Sequence, residues 1–390
     1  MPVSVTSKIR IGIAGAPRGR SFLAGLAAYG DRAEIRAVYE PDPVARQKFA
    51  ADTGVDTPAS YEDLLTEVDA VILASPQHHH APQAILALDA GVHVLSEVPA
   101  AVSLEQAQGL LTAVRRSDAH YMIAENYCFS PANLTIKEMA RAGLFGDLYF
   151  GEGEYLHEMK SWHTDASGRP TWRYHWQVGR AGITYPTHSL GPLLWWFQDR
   201  VVAVSCSGTG RHTDPEHEID DTVLMLARTA HGALLKIRLD LLSNRPHLMN
   251  YYSVQGTTGA YEAARVAGAP DHVYLLGQNP TGLRKQAPGD EAQWEPLDAY
   301  VAKFLPERYR EVAAGAGHGG TDTWPVRDFL DAVVADRVPE LDIYAALDMT
   351  LPGLVSEDSF YEHGAWRAVP NPRLWAAGVG PEPGREYPLA

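Results

Sequence analysis

Aromatic and cationic side chains are concentrated in one segment of this sequence, residues 160–180. Its members are Lys160, Trp162, His163, Arg169, Trp172, Arg173, Tyr174, His175 and Trp176. Aromatic rings stack on the C–H faces of sugars, and guanidinium groups bind carboxylate, sulfonate or phosphate groups in a forked geometry. The segment therefore predicts a carbohydrate-binding surface. Because Lys160, Arg169 and His175 can carry positive charge, they allow the sugar to be anionic.

A second candidate is a turn near the N-terminus, Gly15-Ala16-Pro17-Arg18-Gly19-Arg20. It lies between a strand pattern and a helix pattern, as the turn G-x-G-x-x-G does in dinucleotide-binding folds. Only Gly15 fits that motif, because Pro17 and Arg20 occupy the second and third glycine positions. The start of a helix nevertheless presents unpaired amides to a pyrophosphate, and Arg18 or Arg20 can add positive charge. We therefore expect Gly15, Pro17 and Arg18 to bind a dinucleotide.

The acidic residue Glu40 supports a dinucleotide site of this kind. It ends the second predicted strand, some twenty-five residues after Gly15, which is the distance at which a Rossmann acid reaches the adenosine ribose. A carboxylate accepts a hydrogen bond from a ribose hydroxyl and repels a 2′-phosphate, so NAD is favoured over NADP. The alternative is that Glu40 is a solvated acid at the end of a strand.

Alternating strand and helix patterns fill the first ~125 residues and predict a doubly wound parallel sheet, the Rossmann architecture. We expect strands at Ile9–Ala14, Glu34–Tyr39, Ala70–Ala74 and His93–Leu95, the last two as the fourth and fifth of the sheet. We expect helices from the glycine turn to about Ala28 and from about His80 to Ala90.

The pattern changes from about Tyr127 to one helix followed by longer alternating strands, which predict a mostly antiparallel sheet. The helix is expected at Pro131–Gly143, and the strands include Asp147–Tyr155, Thr222–Ala227, Ala233–Asp240 and Asn250–Gln255. The sequence thus predicts an NAD-binding domain over 1–126 and a substrate-binding α/β domain over 127–390. Residues 306–320 are expected to form a mobile loop, and 370–390 a Pro-rich irregular tail.

Composition excludes several classes of function. The 390 residues carry a formal net charge of -15 from scattered acids, which argues against nucleic-acid binding. Cys128 and Cys206 lie far apart and outside any C-x-x-C pattern, so neither a disulfide framework nor a zinc site is predicted. The adjacent His78-His79-His80 cannot easily converge on one metal ion. No membrane-spanning or signal-like pattern is visible, and we expect a cytoplasmic protein with no membrane partner.

One long stretch carries a resemblance to a known family. SPQHHHAPQAILALDAGVHVLSEVP resembles tPnhlHaplaiaAlkaGkHVlxEKP of the Gfo/Idh/MocA sugar dehydrogenases, and the resemblance covers the N-terminal domain. It implies that Ser75, Pro76, His80 and Glu97 lie near the cofactor. Val98 stands where the family has its catalytic lysine, and valine can neither donate a proton nor carry a charge.

Three further stretches resemble one branch of that family, the bacterial NAD-dependent glycosidases typified by α-N-acetylgalactosaminidases. They are MIAENYCFSPANLTIKEMARAGLFGDLYFGEGEYLHEMK, WRYHWQVGRAGITYPTHSLGP and SNRPHLMNYYSVQGTTGAYE. Matching them position by position to the branch motifs implies Glu125, Tyr155 and His188 as catalytic residues. Read without the motifs, each is more simply a cap, packing or core residue.

The resemblance also explains what replaces the missing dehydrogenase groups. Ordinary family members set their base as D-x-x-x-H, but the residue four before His188 is Thr184. Losing positioned acid and base groups costs roughly 10²–10⁴ in rate. The branch implies another reaction, in which oxidation at sugar C3 acidifies the C2 hydrogen, the C1 substituent is eliminated, water adds, and the hydride returns. His188 would serve the C3 hydroxyl, Tyr155 C2 and Glu125 the leaving group or water, although Tyr155 and Glu125 could exchange roles.

The resemblance further implies a tightly bound NAD that is not consumed, a small-molecule glycoside substrate, and a homo-oligomer, dimer or tetramer. It implies Trp172 and Arg173 at the nicotinamide end, and Tyr185 and His318 as substrate contacts beside Lys160, Arg169 and His175. N-acetylated and sulfonated sugars, the latter of the sulfoquinovose type, are the candidate substrates. Two alternatives stay open: an NAD-dependent sugar or cyclitol dehydrogenase, and a non-catalytic NAD-bound sugar sensor.

Overall fold

A computed structural model of the chain describes residues 8–217, 219–278, 293–311 and 317–376. These residues form two compact units. The first falls within Met1–Phe129, Glu311–Leu351 and Pro370–Pro383, and the second within Ser130–Arg310 and Pro352–Val369. The domain boundary at residues 126 and 127 stays a prediction. Residues 312–316 of the predicted loop and 377–390 of the predicted tail lie outside the described residues.

A five-stranded parallel sheet forms the centre of the first unit, which confirms the predicted Rossmann sheet. Its strands are β1 (Ile9–Ala14), β2 (Ala33–Tyr39), β3 (Ala70–Leu73), β4 (His93–Ser96) and β5 (Tyr121–Ile123), in the order β2-β1-β3-β4-β5. Every residue of β3 is buried, as expected for a strand covered on both faces. The predicted fourth and fifth strands are third and fourth in the chain, because two helices and no named strand occupy the described residues between β2 and β3.

In the part of the chain that the structure describes, six α-helices connect or follow these strands. They are α1 (Ala16–Gly19), α2 (Leu23–Ala28), α3 (Pro43–Thr53), α4 (Tyr61–Glu67), α5 (His80–Asp89) and α6 (Leu104–Arg116). Asp42 caps α3 by accepting hydrogen bonds from the amides of Val44 and Ala45, and Gly54 ends it in the left-handed region. The single helix predicted to reach Ala28 is wrong in detail, since a 3-10 turn at Arg20–Phe22 separates α1 from α2. This break follows Gly19, a residue of low helix propensity.

A nine-stranded sheet forms the second unit. Its strands are β6 (Leu148–Leu156), β7 (Val201–Gly208), β8 (Val223–Thr229), β9 (Leu234–Asp240), β10 (Leu248–Gly256), β11 (Gly259–Glu262), β12 (His272–Leu275), β13 (Glu295–Pro296) and β14 (Arg367–Ala368). Their order is β13-β12-β11-β10-β6-β9-β8-β7-β14. Within this sheet, only β6 and β9 are parallel among the strand pairs described, so the predicted mostly antiparallel sheet is confirmed. Strand β8 alternates buried and exposed residues along its whole length, the pattern of a sheet with one covered face.

The remaining helices are α7 (Pro131–Arg141), α8 (Trp172–Trp176), α9 (Thr187–Phe197), α10 (Asp298–Phe304), α11 (Thr323–Val334) and α12 (Ile343–Tyr361). Helix α9 packs on β6 at unusually short range. A Cβ atom at Gly153 would lie 2.0 Å from the carbonyl oxygen of Ser189, and one at Gly151 would lie 3.1 Å from the ring of Phe197. The two glycines of β6 therefore allow the helix to approach the strand. Among the described residues, no helix is long and apolar enough to cross a bilayer.

This close approach predicts a stability difference between two glycine substitutions. Gly153→Ala should lower the free energy of unfolding by about 1–3 kcal/mol, because the helix must shift to admit the methyl group. Gly277→Ala is the matched control, since a Cβ there meets nothing within 4 Å. Urea unfolding of both variants measures the difference. Equal stability of the two would contradict the packing described here.

Candidate active site

Three residues implied by the glycosidase resemblance, Tyr155, Tyr185 and His188, lie together in the second unit. The ring centroids of Tyr155 and His188 are 5.1 Å apart, those of Tyr155 and Tyr185 are 5.6 Å apart, and those of Tyr185 and His188 are 4.9 Å apart. Tyr155 and His188 are 5% and 6% exposed. The structure therefore forms a compact cluster of one imidazole and two phenols.

Two elements position this cluster. Strand β6 carries Tyr155 one residue before its end, and helix α9 carries His188 in its first turn. The hydroxyl of Tyr252, from β10, donates a hydrogen bond to the backbone carbonyl of His188. Because β10 also pairs with β6, the same sheet fixes both the strand and the start of the helix.

The hydroxyl of Tyr155 has a partner that the sequence did not predict, His157. Its oxygen lies 2.9 Å from Nδ1 of that ring. Burial, together with His247 and Arg173, lowers the pKa of His157 to about 4. The ring is consequently neutral at neutral pH, and its Nδ1 can accept a hydrogen bond from the phenol. A histidine two residues after a candidate tyrosine was a signal available in the sequence.

The aromatic segment contributes Arg173 and two tryptophans to the same unit. The guanidinium of Arg173 lies 5.1 Å from the ring centroid of Trp162 and 4.4 Å from that of Trp172, and it donates a hydrogen bond to Gln177. The ring of Trp162 lies 5.3 Å from that of His157, which connects this group to the Tyr155 cluster. Aromatic faces and a forked cation thus lie together, as a carbohydrate surface requires.

The other predicted cations are less available to a substrate. Nζ of Lys160 donates to the carbonyl of Leu242 and to Asn244, each at 2.6 Å. Arg169 is bound to Asp165 in its own loop. His175 is exposed, with its ring centroid 5.5 Å from that of Tyr174.

Thr184 does not substitute for the aspartate of D-x-x-x-H. Its hydroxyl donates to the backbone carbonyl of Gln177, so it is engaged away from the imidazole of His188. Val98 is buried in the first unit. The two departures from the dehydrogenase pattern are thus Thr184 in place of the aspartate and Val98 in place of the lysine.

In the first unit, the first residue of the glycine turn occupies a position that only glycine fits. Gly15 has a φ of 98°, and a Cβ there would lie 2.4 Å from the carbonyl oxygen of Ala74. A Cβ on Gly19 would lie 2.5 Å from the side chain of Ile13. Gly19 thus serves the close packing of helix on strand that the third motif glycine normally allows, one residue earlier than the motif predicts. Pro17 lies within α1.

Glu40 is 7% exposed, so it is not a solvated strand-end acid. One carboxylate oxygen accepts from the amide of Ala16 and the other from the amide of Asp42, both at 2.9 Å. A carboxylate offers about four lone-pair sites, which leaves capacity for ribose hydroxyls. The position and chemistry fit the adenosine ribose of NAD.

Arg18 belongs to a buried network centred on Asp322, which the sequence did not predict. The guanidinium of Arg18 binds Glu97 at 2.6 Å and Asp322 at 2.7 Å. Asp322 also accepts hydrogen bonds from Asn126 at 2.7 Å and from His318 at 3.0 Å. Burial opposes the charge of Asp322, but the hydrogen bonds from His318 and Arg18 hold its pKa well below the ordinary range. The carboxylate is therefore ionised and fully engaged.

Asn126 supplies a second observation that fits a bound cofactor. Its Nδ2 must face Asp322, since a carboxylate only accepts. Its Oδ1 is buried and has no partner among the described residues. A buried acceptor of this kind fits a hydroxyl or amide donor of NAD. The sequence offered one signal for Asn126, namely its position directly after the predicted catalytic residue Glu125.

The other predicted cofactor and catalytic residues of the first unit lie after the strand ends. His80 is buried, with one ring nitrogen 2.8 Å from the carbonyl of Ser75 and the other 2.9 Å from that of Pro99. Pro76 directly precedes the 3-10 turn Gln77–His79, which leads to His80. Glu125 is fully buried and accepts a hydrogen bond from the amide of Tyr127. Carboxyl ends of parallel strands are where ligands bind in such folds.

The remaining sequence predictions concern the two cysteines and the histidine run at residues 78–80. Cys128 and Cys206 are both buried thiols. The rings of His78 and His79 stack with centroids 4.0 Å apart. Within the described part of the chain, no group of three or more His, Cys, Asp or Glu side chains could hold a metal ion.

Comparison with known proteins agrees with this description. Residues 9–125 match the family described as oxidoreductase family, NAD-binding Rossmann fold, and residues 129–372 match glycosyl hydrolase 109, C-terminal domain. A glycosyl hydrolase family 109 protein of Shewanella pealeana is 25% identical over 404 residues, covering 92% of this chain and 86% of its own length. The α-N-acetylgalactosaminidase of Shewanella oneidensis is 27% identical over 366 residues, covering 85% and 77%. Levoglucosan dehydrogenase in complex with NADH has a TM-score of 0.76 at 20% identity, over 93% and 100% of the two chains.

The Rossmann unit and its turn define an NAD-binding enzyme with the fold of the Gfo/Idh/MocA oxidoreductases. Because the second match covers more than half of the sequence, the chain belongs to the glycosyl hydrolase 109 family. It is an NAD-dependent glycosidase. The family resemblance, the enzyme class and the cofactor predicted from the sequence are thereby confirmed.

A buried histidine in the aromatic segment leads to a pH prediction. Neither ring nitrogen of His163 has a partner among the described residues, and burial together with His217 lowers its pKa to about 4. The unfolded chain, with an ordinary pKa of about 6.5, binds more protons between these values. The stability of the folded state should therefore fall as the pH falls from 6.5 towards 4.

Replacing His163 tests this dependence. In His163→Phe, the free energy of unfolding should depend on pH less steeply, by up to about one proton, between pH 6.5 and 4.5. His231→Phe is the control, because that side chain is 83% exposed. Denaturant unfolding at several pH values gives the slopes. An unchanged slope in His163→Phe would show that His163 is not the neutral buried group.

Proposed function

We propose that this glycosidase hydrolyses an N-acetylated glycoside by transient oxidation at sugar C3, elimination of the aglycone, addition of water and re-reduction. The observation that carries the proposal is the cluster of Tyr155, Tyr185 and His188, with His157 hydrogen-bonded to Tyr155. The sequence lacks the aspartate and lysine of a simple dehydrogenase. The α-N-acetylgalactosaminidase relative supports an N-acetylated sugar. An anionic sugar of the sulfoquinovose type is less favoured, because Lys160 and Arg169 already have partners.

His188 is the proposed base for the C3 hydroxyl. Oxidation of an alcohol requires that the hydroxyl proton leaves as the hydride does, and NAD, when bound, supplies the reversible hydride exchange at C3. The Nε2 or Nδ1 atom of a neutral imidazole can accept that proton and later return it. His188 does this without the aspartate that usually charges it, since Thr184 is engaged with Gln177.

Tyr155 is the proposed base for C2, with His157 as its hydrogen-bond partner. A C3 ketone makes the C2 hydrogen acidic, so a positioned group can remove it. The Tyr155 oxygen, as a phenolate, can accept that proton, and the phenol that results donates to Nδ1 of the neutral His157 ring, 2.9 Å away. Loss of the C2 hydrogen and of the C1 substituent forms the enone. Water then adds at C1, and a proton that has exchanged with solvent is delivered to C2.

Glu125 is the proposed group that assists the departing aglycone or the incoming water. A carboxyl group can donate a proton to the leaving oxygen and then accept one from water. Its amide hydrogen bond from Tyr127 fixes the side chain. The exchange of roles between Glu125 and Tyr155 stays open. The substrate contact Tyr185 and the nicotinamide contacts Trp172 and Arg173 stay predictions. The cytoplasmic location and the homo-oligomer also stay predictions.

The test is an incubation of the enzyme and NAD with aryl and natural glycosides in deuterated water. We expect release of the sugar with deuterium at C2 and no accumulation of NADH, because the cofactor is regenerated within each cycle. NADH accumulation with an intact glycosidic bond would instead identify a sugar or cyclitol dehydrogenase. Binding of sugar without any turnover would identify an NAD-bound sensor.

The role of Tyr155 predicts a specific loss. Tyr155→Phe should lower the rate of glycoside cleavage by roughly 10²–10⁴, because C2 loses its proton acceptor, while NAD affinity stays unchanged. Tyr149→Phe is the control, since Tyr149 lies on the same strand and is 52% exposed. Steady-state kinetics and NAD titration measure the two effects. A Tyr155→Phe enzyme with parental turnover would exclude Tyr155 as the C2 base.

A further inference from the structure

His318 combines a strained backbone with a fixed side chain. Its φ is 51°, in the left-handed region that residues other than glycine rarely adopt. Its Nδ1 lies 3.0 Å from Asp322 and 3.4 Å from Arg18. The side chain is 43% exposed, and its Nε2 makes no hydrogen bond to any described residue. The imidazole is therefore held by one nitrogen and presents the other at the glycine turn.

The arginines of the turn are already neutralised. Arg18 is bound by two carboxylates, those of Glu97 and Asp322. Arg20 pairs with Asp52 at 2.8 Å. With one guanidinium against two carboxylates, the network around Arg18 carries excess negative charge when His318 is neutral. A further cation at this turn would therefore favour the approach of a diphosphate.

We propose that His318, oriented by Asp322, binds a phosphate group of the NAD diphosphate through Nε2. The first turn of a Rossmann fold is where the pyrophosphate lies, and His318 lies against Arg18 of that turn. As an imidazolium, His318 restores the charge balance and donates a charge-assisted hydrogen bond. Asp322 holds both His318 and Asn126, whose buried Oδ1 lacks a partner. One carboxylate thus orients two groups that face the cofactor.

The sequence predicts His318 as a substrate contact, but its measured neighbours are residues of the cofactor turn. The charged and titratable groups that contact it are Arg18 from α1 and Asp322 before α11. Glu97, after β4, reaches it through Arg18. The proposal rests on NAD binding and not on the glycosidase reaction, so it can be tested without a glycoside.

The test measures the affinity of His318→Asn for NAD and for ADP-ribose by calorimetry. Asparagine tolerates the left-handed backbone and keeps an N–H near the Nδ1 position, but lacks Nε2. We expect both ligands to bind roughly 10- to 100-fold more weakly, the effect of losing a hydrogen bond to a charged group. His231→Asn is the control, since its Nδ1 also lies near an aspartate, Asp199, at 3.2 Å, and its side chain is 83% exposed.

ADP-ribose separates the possible contacts, because it contains the diphosphate but no nicotinamide. Weaker binding of NAD with unchanged binding of ADP-ribose would place His318 at the nicotinamide and overturn the proposal. Parental affinity for both ligands would overturn it as well. Thermal unfolding of the ligand-free variant serves as the folding control, and we expect no shift from the parent.

Discussion

The close approach of helix α9 to strand β6 is the constraint on which the candidate catalytic cluster depends. Gly151 and Gly153 leave the strand surface bare where the helix crosses it, and the carbonyl of Ser189 occupies the place of a missing Cβ. Tyr155 follows on the same face of β6, and His188 immediately precedes Ser189. The close contact between the backbones of α9 and β6 therefore places the phenol of Tyr155 beside the imidazole of His188. A hydrogen bond from Tyr252 fixes the carbonyl of His188. Larger residues on β6 would separate the two rings.

A comparable constraint acts in the first unit through Asp322. Its carboxylate is fully buried and binds Arg18, Asn126 and His318. A buried anion is stable only with several donors around it, so this residue requires three side chains to keep fixed orientations. The cofactor turn is consequently shaped by a residue some three hundred positions away in the chain.

The sequence predicted the elements well where periodicity is strong. β1 has the predicted bounds, and the fully apolar run at residues 70–73 is the buried strand β3. Tyr155 and His188 followed from motif resemblance, and the structure shows that they are neighbours. Gly19 was missed, because its packing on Ile13 replaces the motif glycine one residue away from the expected position.

Long-range partners were not predictable in the same way. Arg18 and Lys160 looked like free cations in the sequence, but their partners come from distant segments, Asp322 in one case and Leu242 and Asn244 in the other. Such contacts depend on tertiary packing, and a local sequence pattern does not predict which distant residues become partners. Arg169 differs, since its partner Asp165 lies four residues away and such a pairing could have been anticipated.

The central claim is that the sugar is oxidised and reduced again within one catalytic cycle. The most direct measurement uses a glycoside deuterated at both C2 and C3, incubated with the enzyme and excess unlabelled NAD in ordinary water, and determines the isotope at both carbons of the released sugar. We predict that solvent hydrogen replaces the deuterium at C2, because C2 is deprotonated next to the transient ketone, and that deuterium is found at C3, because the same cofactor gives back the hydride that it received. Released sugar that keeps deuterium at C3 but gains no solvent hydrogen at C2, or deuterium found in free NADH, would contradict this prediction.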